Sequence, residues 1–253
     1  MLSDESHKKN GQQKIIEVVQ LHKELSGNPV LNGFDMSLYD GECLVVIGKS
    51  GAGKTVMIRC LVGLMTVDSG SVSILGKSIP DLDQSQLDHL RLDIGFLFQG
   101  SALYDSMSVR ENLEFPLRRL RKEYADKDAV DHMVRDALAS VGLEHAIDLM
   151  PSELSGGMKR RIALARTLIL RPQIIFYDEP TTGLDPITAK EIIKLIKDIQ
   201  VKYKTSSLII THDLNIAKLI SDRVVILVDG QNYAEGTYKE LAAAGDPVIK
   251  AFF

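Results

Sequence analysis

The sequence predicts an α/β protein with a mixed-sheet core and an inserted helical sub-domain. Three observations carry this expectation. The apolar run Cys43-Leu44-Val45-Val46-Ile47 leads through the glycine-rich octet Gly48-Lys49-Ser50-Gly51-Ala52-Gly53-Lys54-Thr55 into a second apolar run, 56–64, which is the order strand, tight turn, helix. A continuous apolar run of the buried parallel kind at 173–177 opens a strand–helix alternation with further strands at 207–210 and 224–228. Between these, from about 100 to 170, strand signals stop, and 109–124, 128–141 and 156–170 have helical composition and periodicity.

The elements follow in order. Residues 15–21 read as a first strand, broken by Asn28-Pro29. Residues 36–38 form a short strand, and Asp40-Gly41 is a tight turn into the run before the octet. Early antiparallel strands ahead of a parallel core make the sheet mixed. The helix at 55–64 is apolar nearly all round and is expected to be buried. Ser69-Gly70 turns into a strand at 71–75, a polar helix spans 84–91, and a short strand at 94–98 ends at Gln99. Past the helical region come an amphipathic helix at 186–201, a helix at 214–221, a turn at Asp229-Gly230 into a strand at 231–235, a helix at 238–244 and an apolar end, 247–253. Residues 1–14 are polar, lack the apolar stretch of a secretory signal and read as a loose tail. Residues 15–253 are expected to form a single domain.

Composition narrows the function. With 45% hydrophobic and 25% charged residues the chain has the make-up of a soluble globule, and a net charge of −4 makes no electrostatic case for nucleic acid as the main partner. Arg118, Arg119, Arg121 and Lys122 cluster on a predicted helix and read as a solvated face. Cys43 and Cys60 lie in the apolar runs flanking the octet, with neither metal nor disulfide spacing; they read as core residues in a reducing compartment. No run approaches the length of a membrane-spanning helix. The expected location is the cytosol, or a membrane surface reached through a partner.

The octet has the P-loop spacing G-x-x-x-x-G-K-[ST]. Its glycines let successive N–H groups curl around an anion, and the following helix adds unpaired N–H groups and the positive end of its dipole. Lys54 is placed for the β- and γ-phosphates of a nucleoside triphosphate, and Thr55 Oγ for Mg²⁺, a hard cation that prefers oxygen. Such a site needs a second acid for the metal and a base for water. Asp178 and Glu179 supply both at the end of the buried strand, Asp178 holding Mg²⁺ through water and Glu179 taking the proton of the attacking water. His212 ends the next strand and is placed for the γ-phosphate; Gln99 is placed for Mg²⁺ or the water. Ser155-Gly156-Gly157, ahead of Lys159, Arg160 and Arg161, reads either as a second anion seat or as an ordinary Ser-capped helix start.

Taken together, these motifs resemble the nucleotide-binding subunit of an ABC transporter over about 15–240. Gly48 to Thr55 match the Walker A motif, Gln99 the Q-loop, Leu154-Ser155-Gly156-Gly157-Met158 the signature motif and Ile174 to Glu179 the Walker B motif. Gly183-Leu184-Asp185 match the D-loop and His212 the switch histidine. The resemblance implies the P-loop NTPase fold of the ABC ATPases and ATP as ligand. It implies a head-to-tail homodimer in which Ser155, Gly156 and Gly157 of one copy meet the nucleotide on the octet of the other. It also implies an integral membrane permease that docks near 99–109.

Three positions depart from the family pattern. Leu25 stands where an aromatic stacks on adenine, Val56 offers the α-phosphate only its N–H, and Met158 ends the signature. The stretches around Met158, Phe98 to Met107, Met150 to Glu153, Asp185 to Thr188 and Asp246-Pro247 are similar to the Mla/Mce-type lipid-transport ATPases. That narrower resemblance implies phospholipid transport between bacterial membranes, a periplasmic lipid-binding protein, a small cytosolic regulator and a place on the inner face of the cell membrane. The alternatives are the ATPase of a small polar solute importer of the amino-acid type and, further off, an ABC-type ATPase acting on nucleic acid.

Overall fold

The computed structural model describes residues 12–117 and 126–253. The chain opens with β1 (Lys14–Leu25) and β2 (Asn28–Tyr39), an antiparallel hairpin closed by Ser26-Gly27. Both turn residues have positive φ, 51° and 82°, the hairpin geometry that matches strand twist. These strands are longer than expected, and Asn28-Pro29 begins the second instead of breaking the first. Pro29 is tolerated because β2 lies on the edge of its sheet, with β1 as its neighbour there. The predicted strand at 36–38 is only the end of β2, whose buried Leu31, Phe34, Met36 and Leu38 are interleaved with polar residues. The predicted tail, 1–14, meets β1 at Lys14; residues 1–11 lie outside the described residues.

Next come β3 (Cys43–Gly48), buried throughout, and α1 (Lys54–Leu61). The helix is shorter than the predicted 55–64 and not apolar all round: Thr55 and Arg59 are exposed, and Gly63 at φ 65° follows its end. After β4 (Ser69–Ile74) and β5 (Lys77–Ser78), α2 (Gln84–Leu90) is started by a reciprocal capping box between Asp83 and Gln86. Then follow β6 (Ile94–Leu97), α3 (Val109–Glu114), α4 (Lys127–Ser140), α5 (Gly156–Leu168), β7 (Ile174–Asp178) and α6 (Pro186–Tyr203). The far end of the helix expected over 109–124, with the basic cluster Arg118, Arg119, Arg121 and Lys122, falls outside the described residues. The chain closes with β8 (Ser206–Thr211), α7 (Leu214–Ile220), β9 (Arg223–Val228), β10 (Gln231–Gly236), α8 (Tyr238–Ala243) and α9 (Pro247–Lys250). The apolar end packs back on α8, with the Phe253 and Tyr238 rings 5.2 Å apart edge to face.

The fold divides into two compact units. One runs to Arg91 and resumes at Thr205–Phe253; the other is Leu92–Lys204. The second holds the helices expected of an insertion, but also the parallel pair β6–β7 and α6. In the first, β3 lies between β8 and β9, parallel to both, and β10 is antiparallel to β9.

A buried charge cluster ties down the N-terminal end of β3. Arg223 donates to both oxygens of Glu42 at 2.8 and 2.9 Å, and also to Glu235 and to the Ser37 carbonyl. Burial opposes the Arg223 charge, but the Glu42 and Glu235 carboxylates overcome it and hold the guanidinium above its ordinary pKa. The same strand end is fastened by Asp222, which accepts the Cys43 N–H at 2.9 Å.

Removing one partner of that pair strands the other charge. Arg223→Met is expected to lose about 3–5 kcal/mol in denaturant unfolding, and adding Glu42→Leu is expected to recover part of that loss. Cys60 allows a second test. Burial pushes its thiol from 9.0 up to about 11, with Lys23 opposing and Asp68 adding to the shift. Its stability contribution is therefore complete below pH 9.0 and lost as the pH rises toward about 11. Native protein is expected to resist thiol alkylation below pH 9 and to label only as it unfolds, which mass spectrometry of urea-titrated samples checks.

Candidate active site

In the first unit the octet sits at the C-terminal end of β3. Ile47 is level with Thr211 of β8, so His212 leaves the same edge of the sheet as Gly48. Two glycines are required by geometry. Gly51 has φ 81° with open space where a Cβ would stand, so only its backbone demands glycine. Gly53 has φ 99°, and a Cβ there would lie 2.9 Å from the Val30 carbonyl of β2. Gly53 is also the N-cap of α1 and supplies no side-chain acceptor, so the first turn has no side-chain cap, and no acidic residue lies in that turn. Lys54 is buried and folds back over the loop, donating to the carbonyls of Gly48 at 2.6 Å and Lys49 at 3.0 Å. Thr55 and His212 are exposed, and Val56 is half-buried.

In the second unit, β6 and β7 end together, with Leu97 level with Tyr177. That register brings Gln99, exposed two residues beyond β6, and the half-buried Asp178 and Glu179 to one end of the pair. Glu179 occupies the left-handed region at φ 49°, uncommon for its side chain. Thr182 holds it there: its N–H donates to the Glu179 carbonyl at 3.3 Å and its Oγ1 to Glu179 Oε2 at 3.2 Å. Ser155 caps α5, accepting the Met158 N–H at 3.2 Å. Gly157 allows close packing, since a Cβ there would lie 2.8 Å from Thr188 Cγ2 of α6. Ser155, Gly156 and Gly157 line a cavity of about 490 Å³ with Asp185, Thr188 and Arg161. Asp185 caps α6, accepting the N–H groups of Ile187 and Thr188 at 3.0 Å and the Thr188 hydroxyl at 2.6 Å. The Thr188 bonds hold the Asp185 carboxyl below its usual range.

The sequence reading missed the side chains that support these loops. Arg160 and Arg166 of α5 donate to backbone carbonyls of the segment after β6: Phe98 at 2.7 Å, Ala102 at 2.8 Å and Ser101 at 3.2 Å. Ser101 and Ala102 both have positive φ, 61° and 48°. The fully buried Asn112 bonds to the backbone N–H and C=O of Tyr104 and to the carbonyls of Met107 and Ser108. Arg160 was detectable in principle, because it shares a helix stripe with Leu164 and Leu168, all three buried, so a charge interrupts the apolar face. Among the described residues no cluster of three His, Cys, Asp or Glu forms a metal site of its own. Taken singly, a threonine hydroxyl, a glutamine amide and an aspartate carboxylate are oxygen donors of the kind Mg²⁺ prefers, and that ion draws most of its ligands from phosphates and water.

The two glycines separate by experiment. Gly53→Ala meets both unfavourable φ and the β2 backbone, whereas Gly51→Ala meets only the former, of the order of 1–3 kcal/mol. Thermal unfolding of the two variants is expected to rank Gly53→Ala as the more damaging.

Known proteins bear on this arrangement. The sequence profile of the family described as "ABC transporter" matches residues 31–182. The methionine import ATP-binding protein MetN of Clostridium tetani is 38% identical over 228 residues, 90% of this chain and 70% of that protein. The protein TRIGALACTOSYLDIACYLGLYCEROL 3, chloroplastic, of Arabidopsis thaliana is 34% identical over 260 residues, 96% of this chain and 74% of that one. A solved dimer of the ATP-binding cassette MJ0796 in a post-hydrolysis state, bound to ADP and Pi, has a TM-score of 0.79 at 29% identity, over 88% of this chain and 98% of that one. With its glycine-built, uncapped helix start on β3 and its acidic pair at the end of β7, the chain belongs to the ABC transporter family, and it is an ATPase subunit of that family.

Proposed function

We propose that the chain binds MgATP through the octet and hydrolyses it with Glu179 as general base to drive a separate membrane permease. The observation that carries this reading is the helix start at Gly53: no side-chain cap, no acidic residue in the first turn, and Lys54 held across the loop. The first-turn N–H groups and Lys54 take the phosphate oxygens, and the Val56 N–H takes the α-phosphate. Thr55 Oγ, Gln99 and, through water, Asp178 are the proposed ligands of Mg²⁺, which neutralises phosphate charge when bound. His212 contacts the γ-phosphate. Two copies are proposed to pair head to tail, Ser155, Gly156 and Gly157 of one facing the octet of the other. The solved MJ0796 structure, a dimer bound to ADP and Pi, supports dimer formation as such. No described helix is long and apolar enough to cross a membrane, which fits a subunit held at the membrane by its permease.

For the cargo, the curated relatives favour the alternative over the lipid expectation: the 38% identical MetN is named for methionine import, which points to a small polar solute of the amino-acid kind. The lipid reading keeps a specific support, in the Leu154-to-Met158 signature and in a 34% identical relative named for a galactolipid. It alone calls for a lipid-binding protein beyond the membrane. Co-purification of the tagged chain from native membranes, with proteins and lipids identified together, separates the two. A permease with bound phospholipid selects the lipid reading; a permease with an amino-acid-binding partner selects the other.

A positioned base contributes roughly 10²–10⁴-fold to rate, about 3–5 kcal/mol of barrier. Glu179→Gln is therefore expected to bind ATP, accumulate as a dimer and turn over at least about a hundredfold more slowly; near-native turnover would remove Glu179 from its role. The base-stacking position holds Leu25, an exposed aliphatic side chain at the β1–β2 turn. Competition binding is accordingly expected to show weak preference for ATP over GTP.

A further inference from the structure

Arg160 of α5 is a buried cation in the second unit. It is only 3% exposed, and among the described residues no carboxylate pairs with it. Burying a cation against neutral carbonyls alone is a poor way to gain stability, and burial lowers its pKa accordingly. Its contacts suggest another purpose. Nη1 donates to the Phe98 carbonyl at 2.7 Å, and Phe98 is the residue directly before Gln99. Nη2 donates to the Thr182 carbonyl at 3.3 Å, and Thr182 holds the Glu179 carboxylate through its hydroxyl at 3.2 Å. One rigid guanidinium therefore joins the backbone that carries Gln99 to the turn that carries Glu179.

We propose that Arg160 is a positioning residue for hydrolysis: its planar fork fixes the spacing between Gln99 and Glu179, with Thr182 passing that constraint to the Glu179 carboxylate. The proposal rests on the reading of Glu179 as the general base. Glu179 needs such a device because it stands at φ 49°, where its own backbone preference does not keep it. Gln99 is exposed and lies beyond the strand, so its backbone also needs a fixed point. A lysine carries the same charge on one nitrogen and lacks the planar fork that bridges two carbonyls. Misplacing a catalytic group by about 1 Å costs roughly 10²-fold in rate without altering the binding groups. The inferred role thus predicts loss in kcat, with ATP affinity retained.

The test uses the full chain and the variants Arg160→Gln, Arg160→Lys, Thr182→Val and Arg160→Gln/Thr182→Val. It reads ATP affinity by a fluorescent analogue, kcat per folded molecule, and thermal unfolding. Arg160→Gln and Arg160→Lys are both expected to lower kcat by about tenfold or more, with affinity held within about threefold. Thr182→Val is expected to lower kcat in the same way, and the double variant to be no slower than the slower single, because both act on one device. Native kcat in Arg160→Gln or Arg160→Lys, or a loss that tracks only the folded fraction, would overturn the proposal. If Arg160→Gln does not fold, Thr182→Val decides: its side chain is half-buried and isosteric, and native kcat there overturns the link to Glu179. Glu179→Gln is run alongside; native turnover in that variant would sink the base assignment, whereas a slow Glu179→Gln beside a fast Arg160→Gln sinks only this inference.

Discussion

Everything at the octet depends on β3 being held between two parallel neighbours. Parallel pairing with β8 and β9 puts Gly48 and His212 on one sheet edge, because Ile47 is level with Thr211 and Gly48 with Leu227. Parallel strands present their C-terminal ends together, and loops there are the ones free to carry chemistry. The other end of β3 is anchored by Arg223 between Glu42 and Glu235. A loop that must grip phosphates without reorganising needs a strand that cannot slide, and a buried ion pair with fixed geometry provides this more directionally than apolar packing does.

Glycine enters where backbones cross closely. The β2 backbone at Val30 passes both Gly53 of the octet and Gly230 of the β9–β10 turn, where a Cβ would lie 2.5 Å from the Val30 carbonyl. Asn32 N–H closes that contact on the Gly230 carbonyl at 2.9 Å. The antiparallel hairpin is thus part of the octet's wall. In the second unit the loops are held differently, by long polar side chains reaching backbone carbonyls: Arg160, Arg166 and Asn112 satisfy groups that neither helix nor sheet can.

ATP hydrolysis and cargo stand on different ground. The hydrolytic parts are local motifs whose chemistry dictates their residues. With a separate permease, as proposed above, cargo leaves only indirect marks on the ATPase chain. The lipid expectation rested on such marks around Met158 and Asp185, and the most identical relative described above, a methionine importer, pulls the other way.

The motifs legible from sequence were those set by neighbours along the chain. The octet, the Asp178-Glu179 pair, the Ser155 cap and the Asp229-Gly230 turn all work through residues within a few positions of each other, so spacing alone reveals them. The strand boundaries around Asn28-Pro29 were not legible, because whether proline breaks a strand depends on whether that strand is an edge. The exposed face of α1 was likewise decided by what packs against it. Arg223 with Glu42, 181 positions apart, and Arg160 with Phe98, 62 apart, could emerge only from the tertiary structure. A buried charge is explained by its partner, and the chain says nothing of that partner until folding brings the two together. Short-range motifs thus specify which chemistry the protein carries, while the side chains that hold that chemistry in place are set by folding, since distance along the chain does not encode contact in space.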